Sequence, residues 1–200
     1  MSSTQSLHPV LRGPVPLGHL LLRRFVKTGD HVIDATCGNG KDTLLLAELV
    51  GEAGHVYAFD VQPEALARTA ERLAGQGLQQ RVTLLQVGHE QLLDSVNSPV
   101  QAVVFNLGWL PGASREITTR TDTTLIALQA ALQLLAPAGL LLIICYPGHA
   151  GGDQEAAAVV AWCSGLSPRS YFVWRMGQLN VVDGAPFCLV IQDGRAAGVA

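Results

Sequence analysis

One short run, VIDATCGNGKDT at residues 32–43, constrains the fold of this chain more than any other stretch. Its apolar and β-branched residues lead into a turn that contains Gly38 and Gly40, and a helical pattern follows that turn. Glycine lets a backbone approach a ligand closely, and the N-terminus of a helix attracts polar ligand groups. The run therefore predicts a nucleotide-type binding site at the end of a buried strand.

The rest of the chain repeats this alternation of short β-rich runs and helical patterns, which is typical of a parallel sheet with crossover helices. We expect strands at 31–35, 55–60, 82–86, 101–106, 140–146, 170–176 and 187–192. We expect helices at 17–27, 42–50, 63–74, 89–95, 119–135 and 153–164. No long helical pattern separates the last two strands, so they predict a hairpin with one strand antiparallel to the rest. The predicted fold class is α/β, with a Rossmann-like, mostly parallel sheet and helices on both faces.

Composition suits one domain and an ordinary surface charge. The 200 residues are 48% hydrophobic, which is enough for one sizeable core. We place an N-terminal leader at 1–16 and a single domain at 17–200. A net charge of −3 and a pI near 6.0 argue against a protein that coats nucleic acid non-specifically, because such binding needs many cations.

The cysteines and the apolar runs bear on metal binding, on disulfide bonds and on the cellular compartment of the protein. The four cysteines include no CxxC pair, so we expect neither a zinc site nor a disulfide framework, and no metal. The early apolar run LGHLLLRRFV contains two arginines and is too short to span a membrane. We therefore predict a cytoplasmic protein with no membrane partner.

Two acids and a threonine indicate which nucleotide binds. Asp60 follows Gly40 by twenty residues, where an acid can accept hydrogen bonds from ribose hydroxyls. Thr43 stands where a dinucleotide fingerprint has its third glycine, and Asp34 would repel phosphates and attract a cation. This set favours S-adenosylmethionine, which carries positive charge and no phosphate, over NAD. The structural alternatives are a strand-end cap for Asp60 and a turn-forming or helix-capping role for Asp34.

The fourth strand ends in VVFNLGWLPG, which puts Asn106 at the carboxyl end beside the first strand. That edge is where open α/β sheets bind ligands. The order of amide, two residues and aromatic resembles the N-P-P-Y pattern of amino-group methyltransferases, with Leu107 and Gly108 in place of the prolines. There the amide holds the acceptor nitrogen and the aromatic stacks on a base. Trp109 could equally anchor the loop or the core.

Three runs together carry a family resemblance: VIDATCGNGKDTLLLAELVGEAGHVYAFDVQPEAL, NLGWLPG with ITT, and YPGHAGGDQE. They resemble the "putative rRNA methylases", a family of class I S-adenosylmethionine-dependent methyltransferases, over about residues 17–190. The resemblance implies a seven-stranded methyltransferase fold with S-adenosylmethionine as donor. For the tRNA enzymes of this family it implies N-methylation of the 5-aminomethyl group of 2-thiouridine at the wobble position. The anticodon region of tRNA is then the expected partner.

The chain departs from the family pattern in two places. Residues 112–116 read GASRE, where the family often has G-G-D before its I-T-T. Asn180 is followed by VVDGAPF, where the family tends to have a proline pair. The sequence leaves open whether these changes alter specificity.

The strand-end positions and the resemblance together give the candidate site residues. The predicted catalytic residues are Asn106, His149 and Tyr146. The predicted cofactor-binding residues are Asp34, Thr36, Gly38, Asn39, Gly40, Asp42, Thr43, Asp60, Gln62, His89, Glu90 and Asn106. The predicted substrate-binding residues are Trp109, Leu110, Pro111, Gly112, Arg115, Thr118 and Thr119.

Methyl transfer to an amine needs alignment and a neutral nitrogen, so one residue must handle a proton. His149 is the candidate, aided by Tyr146, and a plain loop residue is the alternative. His89 and Glu90 would border the adenine, or would simply begin a surface helix. Two other functions stay open: methylation of rRNA, a small molecule or a protein, and a non-catalytic cofactor- or RNA-binding module. A homodimer is compatible with the sequence.

Overall fold

The computed structural model describes residues 10–109, 112, 118–149 and 151–195. Within these ranges, seven strands form one sheet and six α-helices pack around it. The strands are β1 (His31–Asp34), β2 (His55–Phe59), β3 (Val82–Leu85), β4 (Val100–Asn106), β5 (Leu135–Cys145), β6 (Tyr171–Gly177) and β7 (Phe187–Asp193). The α-helices are α1 (Pro14–Phe25), α2 (Lys41–Val50), α3 (Pro63–Ala74), α4 (Leu92–Ser95), α5 (Thr121–Leu134) and α6 (Gly152–Ser164).

The strand order across the sheet is β3-β2-β1-β4-β5-β7-β6. Neighbouring strands from β3 to β5 pair in parallel, whereas β7 is antiparallel to both β5 and β6. The predicted α/β class and the C-terminal hairpin are therefore confirmed. β1 has β2 on one side and β4 on the other, so the order of the strands reverses at β1, and such a reversal opens a crevice at the carboxyl edge.

The core lies in two layers because successive side chains of a strand point to opposite faces of the sheet. Val32 packs with apolar residues of α1, α2 and α3, such as Leu22 and Leu46. Its neighbour Ile33 packs with residues of α4, α5 and α6, such as Leu128 and Val159. Both faces of the sheet are thus covered by helices, as the sequence predicts.

The first helix begins earlier than expected. It starts at Pro14 and ends at Phe25, whereas the sequence pattern predicts 17–27. Gly13 precedes it with φ of 79°, and a proline suits the first turn because the amide it lacks would have no partner there. Residues 14–16 therefore belong to the folded domain and not to a leader ending at residue 16; residues 1–9 lie outside the described ranges.

Two further features complete the fold. β5 begins at Leu135, five residues before the predicted start, because Leu135 already pairs with Val100 ahead of a register shift. The four cysteines are buried free thiols. Among the helices that the structure describes, none is both long and apolar enough to cross a lipid bilayer.

Candidate active site

A cavity of about 840 Å³ opens at the carboxyl edge of the sheet, where the strand order reverses. Its wall is assembled from helix α1, from the segments that follow β1, β2, β3, β4 and β5, and from the residues before α5. The lining residues at these segments include Val15, His19, Thr36–Asn39, Lys41, Asp42, Asp60–Gln62, His89, Glu90, Asn106–Trp109, Thr118–Arg120 and Tyr146. Most of the residues predicted from the sequence therefore meet in one place.

Asp60 joins the ends of β1 and β2. Its Oδ2 accepts a hydrogen bond of 3.0 Å from the Gly38 amide, and its Oδ1 accepts one of 2.9 Å from the Gln62 amide. Partial burial raises the pKa of Asp60, although these amides oppose the rise. Each carboxylate oxygen has a second lone pair, so Asp60 can still accept hydrogen bonds from two neighbouring hydroxyls of a ligand.

Asp34 does not line the cavity, which corrects the prediction that it contacts the cofactor. It is fully buried, and its oxygens accept hydrogen bonds from the Thr43 hydroxyl at 2.6 Å and the Thr36 amide at 3.2 Å. Burial, followed by the charge of Asp42, raises its pKa from 3.8 to about 7. Thr43 is likewise buried beneath the wall, so both residues support the turn and neither lines the cavity.

Gly40 also lies outside the cavity wall, for a packing reason. Its φ is +72°, and an added Cβ would approach Thr69 Oγ1 to 2.7 Å. Gly40 is thus required for contact between the turn and α3 and not for approach to a ligand. Asn39 does line the cavity, and α3 holds it through Arg68 Nη1 at 3.1 Å and Arg72 Nε at 2.8 Å.

Hydrogen bonds hold both the backbone and the side chain of Asn106. Its backbone amide donates to Thr36 Oγ1 at 2.7 Å, and its side-chain Nδ2 donates to Asp42 Oδ2 at 3.1 Å. The other oxygen of Asp42 lies 2.6 Å from His19 Nε2. His19 comes from α1, which the sequence does not link to the site, although its position in LGHLLL is the one polar residue of an apolar run.

The loop after β4 is closed by backbone and side-chain hydrogen bonds. Trp109 pairs with Thr118 in an antiparallel bridge, and the Gly108 amide donates to Thr119 Oγ1 at 2.8 Å. Thr119 Oγ1 in turn donates to Glu155 Oε2 at 2.7 Å, and Thr124 Oγ1 donates to Glu155 Oε1 at 2.7 Å. These bonds link the ITT and GGDQE runs, and the sequence analysis did not identify Glu155 or Thr124.

His149 is not in the cavity wall, which corrects its predicted contact with the acceptor. Its ring packs edge-to-face on Trp109, with 4.6 Å between ring centroids, and it also lies against Gly152 at the start of α6. Tyr146 does line the cavity, and burial, followed by the charge of Asp42, raises the pKa of its hydroxyl. His149 therefore contacts the site through Trp109.

The remaining predicted residues divide into three groups. Gln62, His89 and Glu90 line the cavity, and burial lowers the pKa of His89, which favours its neutral form. Gly112 is an exposed turn residue with φ of +86° and is not in the wall. The predicted substrate contacts Leu110, Pro111 and Arg115 lie outside the described residues.

The side chains that the structure describes include no group of three or more His, Cys, Asp or Glu residues placed to hold a metal ion. The chemistry that this site offers is hydrogen bonding and charge. The carboxylates of Asp42 and Asp60 lie near the ends of β1 and β2. The amide of Asn106 lies at the end of β4, and the ring of Trp109 follows that strand.

Comparison with known proteins identifies the family. A family model described as "Putative rRNA methylase" matches residues 56–192. The chain belongs to this family. The family predicted from the sequence motifs is therefore confirmed.

Relatives of known sequence and structure agree with this assignment. A chloroplastic "tRNA (mnm(5)s(2)U34)-methyltransferase" from Arabidopsis thaliana is 39% identical over an alignment of 174 residues, which covers 82% of this chain and 64% of that protein. This chain thus spans less than two thirds of that relative's length.

Two solved structures match over nearly their whole length. The crystal structure of a "putative rRNA-methylase" from Clostridium thermocellum is 38% identical with a TM-score of 0.90, covering 92% of this chain and 99% of that one. A "putative methyltransferase" from Streptococcus mutans, solved in complex with SAH, is 36% identical with a TM-score of 0.84 and the same coverage of both chains. The class I methyltransferase fold predicted from the sequence is confirmed.

Proposed function

We propose that this chain transfers a methyl group from S-adenosylmethionine to the nitrogen of the 5-aminomethyl group of 2-thiouridine at the tRNA wobble position. The product is the 5-methylaminomethyl form. Family membership and the SAH complex of the Streptococcus mutans relative support the reaction class and the cofactor. The name of the Arabidopsis thaliana relative supports the acceptor.

The cavity fits S-adenosylmethionine in size and charge. Its volume of about 840 Å³ lies within the usual range for ligand sites. Asp60 offers oxygens to ribose hydroxyls, and its carboxylate in the wall suits a cationic ligand and opposes phosphates. When bound, the cofactor supplies an electrophilic methyl group on its sulfonium. His89 and Glu90 lie in the segment after β3, where they line the cavity and would border the adenine.

The orientation of the Asn106 amide carries this proposal. Because Nδ2 donates to Asp42, the carbonyl oxygen of Asn106 is left to accept a hydrogen bond from an N–H group in the cavity. An amine held in this way keeps its nitrogen lone pair for attack on carbon. An uncharged amide stabilises the protonated amine much less than a carboxylate would, because it carries no negative charge.

In the proposed methyl transfer one bond forms, one bond breaks and one proton leaves the amine. The lone pair of the neutral amine forms the new N–C bond as the S–C bond breaks with its electron pair left on sulfur, and the nitrogen then loses one proton to solvent. A primary alkylamine is largely protonated near neutral pH, so the site must select the neutral form. Tyr146 lines the cavity with its hydroxyl protonated, which makes it a hydrogen-bond partner and not a base at neutral pH.

Two features of the surface support an RNA acceptor. Trp109 lines the cavity and offers a ring on which an extruded base can stack. Lys41, Arg68 and Arg72 line a second, shallower cleft of about 460 Å³ beside Asn39. These cations would neutralise backbone phosphates in a protein whose net charge is −3. Binding to the anticodon region of tRNA, action in the cytoplasm and assembly as a homodimer stay predictions.

The acceptor class is tested by a methyl-transfer screen. The protein is incubated with radiolabelled S-adenosylmethionine and with separate tRNA, rRNA, protein and metabolite fractions from cells lacking the enzyme. We expect label in tRNA, and nucleoside mass spectrometry should find it in 5-methylaminomethyl-2-thiouridine. Label confined to another fraction would assign another acceptor, and cofactor binding with no label in any fraction would indicate a non-catalytic module.

The role of Asn106 is tested by Asn106→Asp. This change keeps the side-chain size and an acceptor oxygen, but it adds a negative charge that favours the protonated, unreactive amine. We expect kcat to fall by about 100-fold while affinity for S-adenosylmethionine stays near wild type. A wild-type rate in this variant would remove Asn106 from the acceptor site.

A further inference from the structure

Asp42 connects two residues that are far apart in the sequence and meet in the cavity wall. One carboxylate oxygen lies 2.6 Å from His19 Nε2, and the other accepts a hydrogen bond of 3.1 Å from Asn106 Nδ2. All three side chains line the cavity. His19 lies on α1, Asp42 lies in the first turn of α2, and Asn106 is the last residue of β4.

The chemistry of a carboxylate fixes the direction of both contacts. An ionised carboxylate only accepts hydrogen bonds, so Nε2 of His19 and Nδ2 of Asn106 must each carry the hydrogen. Each oxygen of Asp42 then has one partner. The amide of Asn106 is consequently held with its nitrogen toward Asp42 and its oxygen on the opposite side.

We propose that Asp42 and His19 are positioning residues that hold the Asn106 amide with its carbonyl oxygen toward the acceptor amine. This inference rests on the proposed function of Asn106. If the amide turned over, its N–H₂ donors would face the amine and bind the lone pair that has to attack the methyl group. Asp42 prevents that reversal because it offers the amide only acceptor atoms.

His19 has a separate part in this arrangement. Its N–H occupies the oxygen of Asp42 that Asn106 does not use, with 30% of the His19 side chain and 10% of the Asp42 side chain exposed. Without His19, that oxygen would lose its partner, and the carboxylate could turn from the amide toward the acceptor amine. A carboxylate beside the amine would stabilise its protonated form, which cannot react. His19 therefore keeps Asp42 directed at the amide and away from the substrate.

Steady-state kinetics provide the first test, with tRNA carrying 5-aminomethyl-2-thiouridine as substrate. Asp42→Ala and His19→Phe should each lower kcat by about 10- to 100-fold, while KM for tRNA and affinity for S-adenosylmethionine stay within about threefold of wild type. His19→Gln keeps a side-chain N–H donor and should restore most of the rate. A loss of cofactor affinity that accounts for the loss of rate would overturn the proposal and assign Asp42 to the cofactor.

A matched control and a second variant separate orientation from folding. His55 lies on β2, hydrogen-bonded to Thr83 and outside the cavity wall, so His55→Phe should leave kcat unchanged. Asp42→Asn preserves the side-chain volume but turns one of the two acceptor atoms into a donor. It should retain a wild-type thermal unfolding midpoint and still lower kcat. A full rate in Asp42→Asn and in Asp42→Ala would contradict the proposal.

A double-mutant cycle tests whether Asp42 acts through Asn106. In a protein that already carries Asn106→Ala, adding Asp42→Ala should lower kcat no further, because there is no amide left to orient. An equal loss in both backgrounds would mean that Asp42 acts independently, and it would overturn the proposal. If Asn106→Ala alone keeps the full rate, the proposed function of Asn106 fails instead.

A measurement without turnover completes the test. In the ¹⁵N-labelled protein, the side-chain amide signal of Asn106 is assigned from its absence in Asn106→Ala. Asp42→Ala should shift this signal strongly and His19→Phe more weakly, whereas His55→Phe should leave it in place. An Asn106 signal that stays unmoved in Asp42→Ala would show that the amide is oriented by other groups, and the proposal would be wrong.

Discussion

The two sides of the cavity are held together by different kinds of contact. The cofactor side, Thr36–Asn39 with Asp60–Gln62, is built on backbone amides that donate to one carboxylate, Asp60. The acceptor side of the proposed site is Asn106–Trp109 with Thr118–Thr119. It is held by the hydroxyl of Thr119, which accepts from the Gly108 amide and donates to Glu155, a buried acid on α6. Asp42 is the point at which the two sides meet, through Asn106.

This difference has a functional consequence. Backbone contacts at strand ends keep the cofactor side in place whatever the acceptor is, whereas the acceptor side depends on a few side chains. Changes on one side should therefore alter affinity for one ligand and leave the other affinity intact. The four predictions below run from the largest expected effect to the smallest.

The largest effect concerns Asp34, the buried acid beneath the cofactor side. Burial raises its pKa from 3.8 to about 7, so the folded protein keeps a proton that the unfolded chain has already released. Wild-type stability should therefore fall as the pH rises from about 4 to 7, by up to about 4 kcal/mol from this residue. The side chain at residue 34 in Asp34→Asn does not titrate in this range, so the stability of this variant should not show the decrease that Asp34 causes.

Urea unfolding of both proteins across this pH range measures the effect. The free energy of unfolding of the wild type should fall relative to that of Asp34→Asn as the pH rises, because only the unfolded wild-type chain releases a proton from residue 34 in this range. Curves that stay parallel from about pH 4 to 7 would mean that Asp34 titrates normally in the folded protein.

Glu155→Ala should weaken the acceptor side. The variant leaves the hydroxyls of Thr119 and Thr124 without their acceptor, and we expect a loss of about 1.5–3 kcal/mol in the free energy of unfolding. KM for tRNA should rise, while affinity for S-adenosylmethionine should stay at the wild-type value. Glu48→Ala, at an exposed position of α2, is the matched control. An equal loss of cofactor affinity would contradict the separation of the two sides.

Asp60→Ala should affect the cofactor side alone. Calorimetric titration should find affinity for S-adenosylmethionine weaker by about 1–3 kcal/mol, because ribose hydroxyls and two backbone amides lose a charged acceptor. Asp60→Asn keeps one acceptor oxygen and should lose less. NAD should bind negligibly to the wild type. Unchanged affinity for S-adenosylmethionine in Asp60→Ala would remove Asp60 from the ribose site.

Trp109→Ala should affect the acceptor side alone. Stacking on a base contributes about 1–3 kcal/mol, so KM for tRNA should rise with little change in cofactor affinity. His149→Gln removes the ring contact to Trp109 and should have a smaller effect, about 0.5–1.5 kcal/mol. Trp174→Ala, at an exposed position of β6, is the control for loss of a tryptophan. An effect of His149→Gln larger than that of Trp109→Ala would restore a direct role for His149.

The cofactor side was largely predictable from the sequence because strand ends and glycine turns are local features. Gly38 and Asp60, both predicted to contact the ligand, lie next to each other because they follow two adjacent parallel strands. The same motif also predicts that Asp34 and Thr43 contact the cofactor, but both are buried and do not line the cavity. Side chains of a strand and of a helix alternate between the wall and the core, and the sequence does not say which residue of a polar run faces the ligand.

The acceptor side was harder to predict because its contacts depend on how helices dock. His19 and Asp42 are 23 residues apart, and Thr119 and Glu155 are 36 apart, so no spacing in the sequence links them. His149 was selected for its position near Tyr146, but the chain turns it toward Trp109 and Gly152. In α6, GDQEAAAVVAWCS, Glu155 directly precedes the apolar run AAAVVAWC, and that position is the available signal in the sequence.

The most direct test of the proposed reaction compares two tRNAs that differ in one group. Initial rates of methyl transfer are measured with tRNA carrying 5-aminomethyl-2-thiouridine at the wobble position and with the same tRNA lacking the aminomethyl group. In the proposed function the oxygen of Asn106 accepts a hydrogen bond from an amine, so we predict methylation of the first tRNA and none of the second. Equal methylation of both tRNAs, or methylation of neither while S-adenosylmethionine binds, would contradict the assignment of the acceptor.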